Sequence, residues 1–222
     1  KLYFHKLIND SISLIPYDSL TPDSLMEDFA SNGVLKLALL GNDTLYDLVT
    51  YYDDRQDSED EIIIFNNITH EDKYPDWNYV LRNSQFSVKG LETMDINGDD
   101  HDDIIVGQRS LMEDSSKILI FYGPSFGTIP DIEIDKYAFG EYAAFIDRFP
   151  QRLKSVGDIN AEGYGDLGII LVTDSSIICA IFFCGPDFDL HADLYLDNPA
   201  YEVSAAGDIN ADGFADFFAG GG

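Results

Sequence analysis

Basic residues are scarce in this chain. Thirteen Lys and Arg stand against 41 Asp and Glu, a formal charge of −28. A surface this acidic repels phosphate backbones and anionic headgroups, which argues against nucleic-acid and peripheral membrane partners, and it attracts cations. Long apolar runs are missing too. None approaches the ~20 residues that a spanning helix needs, so the segment has no means of direct membrane insertion by a helix. The first residues, KLYFHKLIND, lack a signal-peptide pattern and read as mid-domain strand, and the last, Ala219 to Gly222, follow directly on a strand. The expectation is a piece of a longer polypeptide whose targeting signal lies outside it. Cysteine is limited to Cys179 and Cys184. Five residues apart on one strand, they face opposite sides, too far apart for a mutual disulfide. They are either buried small hydrophobes, or one pairs with a residue elsewhere. Helical periodicity is weak throughout, and residues 22–30, the one stretch that suits a helical turn, read as a loop.

Apolar content is ample at 45% hydrophobic and 13% aromatic, which argues against disorder. Its arrangement is repetitive. ETMDINGDDHDDIIVG at 92–107, KSVGDINAEGYGDLGIILV at 154–172 and SAAGDINADGFADFFAGG at 204–221 align on Asp95, Asp158 and Asp208, spaced 63 and 50 residues apart. A degenerate copy, LKLALLGNDTLYDLVTYY at 35–52, aligns when Asp47 is matched to Asp103, which places Leu39 where Asp95 stands. Between copies lie short β-branched and aromatic runs bounded by Gly, Pro, Asn and Asp, about four strands per period. Four strands in a repeat of this length predict the blade of a β-propeller, an all-β fold. The expected parts are the end of a blade at 1–20, a blade with a degenerate loop at 31–82, blades at 86–135 and 152–197, and the start of another at 201–222. Such a segment of about four blades suits a ring of six to eight. A four-bladed ring closed by joining the two halves is the alternative.

Each aligned copy carries a loop with oxygen side chains at its first, third, fifth and ninth positions. These are Asp95, Asn97, Asp99 and Asp103, then Asp158, Asn160, Glu162 and Asp166, then Asp208, Asn210, Asp212 and Asp216. Calcium takes six to eight hard oxygen ligands, and a wrapped loop supplies them, with the seventh-position carbonyls of His101, Tyr164 and Phe214 and water completing the shell. Gly163 and Gly213 at the sixth position permit the sharp turn, and Asp100 tolerates the same left-handed geometry in the first loop. The opening is shared with an EF-hand, but the twelfth position holds Val106, Ile169 and Ala219 instead of a bidentate Glu, and each loop runs into a strand. Three Ca2+ sites are expected. The alternative for any one loop is a solvated Asx turn. In the degenerate copy Leu39 and Gly41 replace the first two ligands, so no metal is expected there.

These loops resemble FG-GAP repeats, the blades of the integrin alpha-chain propeller. The resemblance rests on Asp-x-Asn-x-Asp-Gly-x-x-Asp followed by an apolar strand, with Phe139-Gly140 similar to the FG element and Gly107-Gln108-Arg109 a poor GAP element. It implies calcium between the first and second strands of each blade, an extracellular or cell-surface location, and a binding or adhesion role. Asn9, Asn42 and Asn67 head glycosylation sequons, which fits that location.

Two enzyme motifs occur in the wrong setting. Gly163 to Gly168 spells a dinucleotide fingerprint, but it opens a β run and not a helix. Gly123 to Gly127 spells a nucleophile elbow, but it too leads to a strand. The four histidines have no zinc spacing, and the acidic run at 53–61 suits a solvated hairpin loop. The expected function is a non-enzymatic, calcium-stabilised module recognising a protein or glycan outside the cell. The alternatives are the propeller scaffold of a polysaccharide-acting enzyme, and a structural subunit of a cell-surface assembly.

Overall fold

A computed structural model describes residues 2–4, 7–8, 11–12, 18–20, 35–41, 46–54, 59–66, 76–81, 86–110, 115–197 and 201–220. Asn9, Asn42 and Asn67 lie outside the described residues, as do 22–30. Near the N-terminus β1 (Leu2–Phe4) pairs with β4 (Asp18–Leu20), and β2 (Leu7–Ile8) with β3 (Ser11–Ile12). Three four-stranded antiparallel meanders follow. The first holds β5 (Leu35–Ala38), β6 (Asp47–Asp54), β7 (Glu59–Phe65) and β8 (Trp77–Leu81). The second holds β9 (Phe86–Met94), β10 (Asp103–Ser110), β11 (Lys117–Phe121) and β12 (Ile132–Ile134). The third holds β13 (Ile146–Gly157), β14 (Asp166–Thr173), β15 (Ile177–Phe182) and β16 (Leu194–Asp197). Last, β17 (Glu202–Gly207) pairs with β18 (Asp216–Gly220).

The apolar runs are continuous because the middle strands are covered on both faces. On β10, Ile104 and Val106 pack toward the first meander, among Val49, Ile62 and Ile64, while Ile105 packs toward the third, among Leu167 and Ile169. On β14, Leu167, Ile169 and Leu171 join the core shared with the second meander, and Ile170 joins Val203 of β17. The two-residue period of a strand thus welds the second and third sheets to both neighbours. Each buried Ile or Leu contributes about 1.5–3 kcal/mol of transfer free energy. Cys179 and Cys184 are free and buried, and they fall in different cores, on opposite faces.

Between β12 and β13 lies a 3-10 segment, Lys136–Ala144, kinked at Phe139 and Gly140. Asp135 caps it by accepting the Tyr137 amide at 2.8 Å. Phe139 is fully buried and meets Phe149 and Phe182 edge to face, with ring centroids 4.9 and 5.7 Å apart. Gly90 and Gly107 allow β13 to press close, since a Cβ at either would stand within 3 Å of Leu153.

Candidate cation-binding loops

Each loop joins the first strand of a sheet to the second, so its start is fixed by one strand and its end by the next. In the first loop the Asp95 carboxylate accepts the amides of Gly98, Asp99 and Asp100 at 2.7, 3.1 and 2.8 Å. Asn97 Oδ1 reaches the same Asp99 amide at 3.0 Å, and Asp99 Oδ1 accepts from the His101 amide at 3.0 Å. The third loop repeats this. Asp208 accepts from Asp212 and Gly213 at 3.1 and 2.9 Å, Asn210 Oδ1 meets Asp212 N at 2.8 Å, and Asp212 Oδ1 accepts from the Phe214 amide at 3.0 Å. In the second, Asp158 accepts from Glu162 and Gly163 at 3.0 and 2.8 Å, and Asn160 Oδ1 meets Glu162 N at 3.3 Å. Glu162 lines a cleft of about 370 Å³ with Asp189 and Asp193.

First- and third-position oxygens therefore converge on one amide in every loop. The wrap that makes them converge is strained. The sixth position has positive φ in all three, at Asp100 (69°), Gly163 (102°) and Gly213 (93°). So does the fourth, at Gly98 (79°), Ala161 (60°) and Ala211 (60°). Two alanines held in a left-handed conformation cost free energy that the loop's hydrogen bonds must offset.

The ninth position has a further duty. Asp103 is fully buried and accepts Ile96 N at 2.9 Å on one oxygen and Gly123 N at 2.9 Å on the other. Asp166 does the same with Ile159 N at 2.9 Å and Cys184 N at 3.1 Å. Asp216 accepts Ile209 N at 2.9 Å. In the degenerate copy, Asp47 accepts Leu40 N at 3.1 Å. The bond from the second-position amide thus recurs in all four repeats, with or without the upstream oxygens. Burial, opposed by the two amides, pushes the Asp103 carboxyl up to about 7 and Asp166 to about 6.

Successive loops also touch. The eighth-position amide donates to the first-position carbonyl of the preceding loop, Asp102 N to Leu39 O at 3.0 Å and Ala215 N to Asp158 O at 2.7 Å. At the first junction Asp102 Oδ2 accepts Leu39 N at 2.7 Å, and His101 Nδ1 lies 3.2 Å from Gly41 O. Tyr164 lies over Gly98 of the loop before it and against Gly185. Phe214 is 48% exposed. These inter-repeat bonds and the left-handed fourth position escaped the sequence reading. Gly98 in the first loop was their one visible sign.

The oxygen set is of the kind a hard cation takes: two acidic side chains flank an Asn, and the first and third oxygens meet at one amide, while in the first and third loops the Asn NH2 donates to the fifth-position carboxylate at 3.3 and 3.0 Å. The acidic side chains alone do not close a cage, and among the described residues no three His, Cys, Asp or Glu side chains gather to hold a metal.

The comparisons bear on the fold. No family model matches the chain, and no curated protein matches it either. Solved structures do. Rhamnogalacturonan lyase YesW matches over 97% of this chain with a TM-score of 0.58 at 12% identity. A Bacillus licheniformis rhamnogalacturonan lyase matches over 99% with 0.57 at 15%, and exotype rhamnogalacturonan lyase YesX over 92% with 0.55 at 14%. The chain spans 47%, 44% and 41% of those proteins, under half of each. At these identities the likeness is one of fold.

Proposed function

We propose that the chain is a calcium-stabilised β-propeller segment of a protein that acts on an extracellular polysaccharide. The observation that carries this reading is the fold likeness, over nearly the whole chain, to three rhamnogalacturonan lyases. The loops add the ion. Asp95, Asn97 and Asp99, with their counterparts Asp158, Asn160 and Glu162, and Asp208, Asn210 and Asp212, would hold it. Calcium would neutralise crowded carboxylates and lock each first strand against its second. The fold hosts many activities, so the chemistry needs its own test. Incubation of the calcium-loaded protein with rhamnogalacturonan, followed by the ultraviolet absorbance of unsaturated products, supports the reading if absorbance grows. Absence of both turnover and binding, with every polysaccharide tried, would contradict it.

The loop pattern favours a second reading, the non-enzymatic FG-GAP-like recognition or adhesion module. Binding of a glycan or protein without turnover would favour it.

A further inference from the structure

Five of the chain's 13 Lys and Arg lie on the first strands of the sheets, Lys36 on β5, Lys89 on β9, and Arg148, Arg152 and Lys154 on β13, and Arg109 lies on the adjoining β10. Three of these charges are well matched. Lys36 on β5 pairs with Glu92 on β9, whose other oxygen lies 3.8 Å from Lys154 on β13, so a nearly buried carboxylate ties three adjacent sheets together. Arg152 pairs with Glu202 of β17 at 2.7 Å.

Arg109 and Arg148 are different. Arg109 lies near the end of β10 and pairs with Ser87 near the start of β9, and Arg148 lies near the start of β13 opposite Val172. Both therefore sit at the strand ends remote from the acidic loops, Arg109 about 20 Å from Asp103 at ~3.3 Å per residue. Two irregularities shape this end of the two sheets. The β9–β10 register shifts between Gly107 and Gln108, and β13 bulges between Arg148 and Arg152. The bulge tucks Pro150 against Gly107 and turns Gln151 toward Arg109, whose Nη1 donates to Gln151 Oε1 at 2.8 Å. Bulges of this kind re-aim side chains beside binding sites. Burial and the neighbouring Arg148 charge both act against the Arg109 guanidinium.

Among the described residues donors outnumber acceptors here. A guanidinium has five N–H groups. Among the described residues Arg109 meets Gln151, and Arg148 meets Asp147 through Nε at 3.2 Å. Among these residues one carboxylate answers two guanidiniums, and Gln151, having given its oxygen to Arg109, keeps its NH2 to donate. Holding two like charges together in this way is unfavourable without an anion between them.

We propose that Arg109, Arg148 and Gln151 form a carboxylate-binding site at the ends of β10 and β13 remote from the acidic loops. The guanidinium fork matches a planar carboxylate in two bonds, and the Gln amide adds a donor for a neighbouring hydroxyl. Given the polysaccharide reading, on which this assignment of the ligand rests, the carboxylate is that of a uronate sugar.

The test is calorimetric titration of the calcium-loaded protein with a galacturonate oligosaccharide, a neutral galactose oligosaccharide of equal length, and galacturonate monomer. The acidic oligosaccharide should bind and the neutral one should not. Arg148→Ala, at an exposed position, should weaken binding roughly tenfold to a hundredfold without moving the melting temperature. Arg148→Lys should recover only part, because the charge returns without the fork. Monomer binding with the same dependence would support the site and assign it to a free sugar acid. Equal binding by Arg148→Ala, or equal binding of the neutral sugar, overturns the site while leaving the polysaccharide reading intact. No binding of any sugar overturns both.

Discussion

Asp47 and Asp103 stand at the same place in successive repeats, but the loops they close are unlike. One has Leu39 and Gly41 where the other has Asp95 and Asn97. Both aspartates accept the second-position amide, at 3.1 and 2.9 Å. The first- and third-position oxygens are absent from one repeat, while this bond is present in both. The loop therefore performs two separable tasks. The ninth aspartate fastens the loop to its own sheet through backbone amides and needs no metal. The first, third and fifth positions present oxygens whose mutual repulsion a cation would relieve.

Substitutions should separate these tasks. Asp103→Ala strands the amides of Ile96 and Gly123 beneath the surface, at a cost of about 3 kcal/mol or more in urea unfolding, with calcium and with chelator alike. Asp47→Ala should destabilise in the same direction by about 1–3 kcal/mol in both conditions. Asp95→Ala should behave differently. It exposes its amides to water, so in chelator it should cost about 1 kcal/mol, and its main effect should be a smaller gain on adding calcium. Equal costs for Asp95→Ala and Asp103→Ala in chelator would break the distinction.

The clamp also has a pH signature. Burial holds Asp103 near 7 in the folded chain against an ordinary 3.8. The folded state therefore retains a proton that the unfolded chain has released, and this contribution to stability is full below 3.8 and is lost as pH rises through about 7. In metal-free protein the unfolding free energy should fall across that window, and Asp103→Asn should flatten the fall. A slope unchanged in that variant would place the titration elsewhere. The smallest effect concerns the thiols. Burial pushes Cys179 up to about 11 and Cys184 further still, so neither should react with a thiol reagent at neutral pH until the protein unfolds.

Much of this architecture was legible in the sequence. The apolar runs at Ile104 to Val106 and Leu167 to Val172 marked strands, and the recurring Asp-Ile-Asn marked the turn before each. What was hidden depends on neighbours far away in the chain. Nothing near Asp103 reveals that Gly123 will complete its carboxylate, because that bond spans 20 residues. The bulge that aims Gln151 at Arg109 arises from the close approach of two strands and has no local signature beyond Pro150. Phe139 was visible as an aromatic before a glycine, but its burial against Phe149 and Phe182 depends on how β13 and β15 pack.

The separation of clamp from cation site rests on calcium binding to the loops, and calorimetric titration with calcium, repeated on Asp208→Ala, tests it most directly. The account predicts three binding equivalents in the parent protein, two in the variant, and a melting temperature that rises with calcium and falls with chelator. Absence of binding heat, with the same melting temperature in calcium and in chelator, would contradict it.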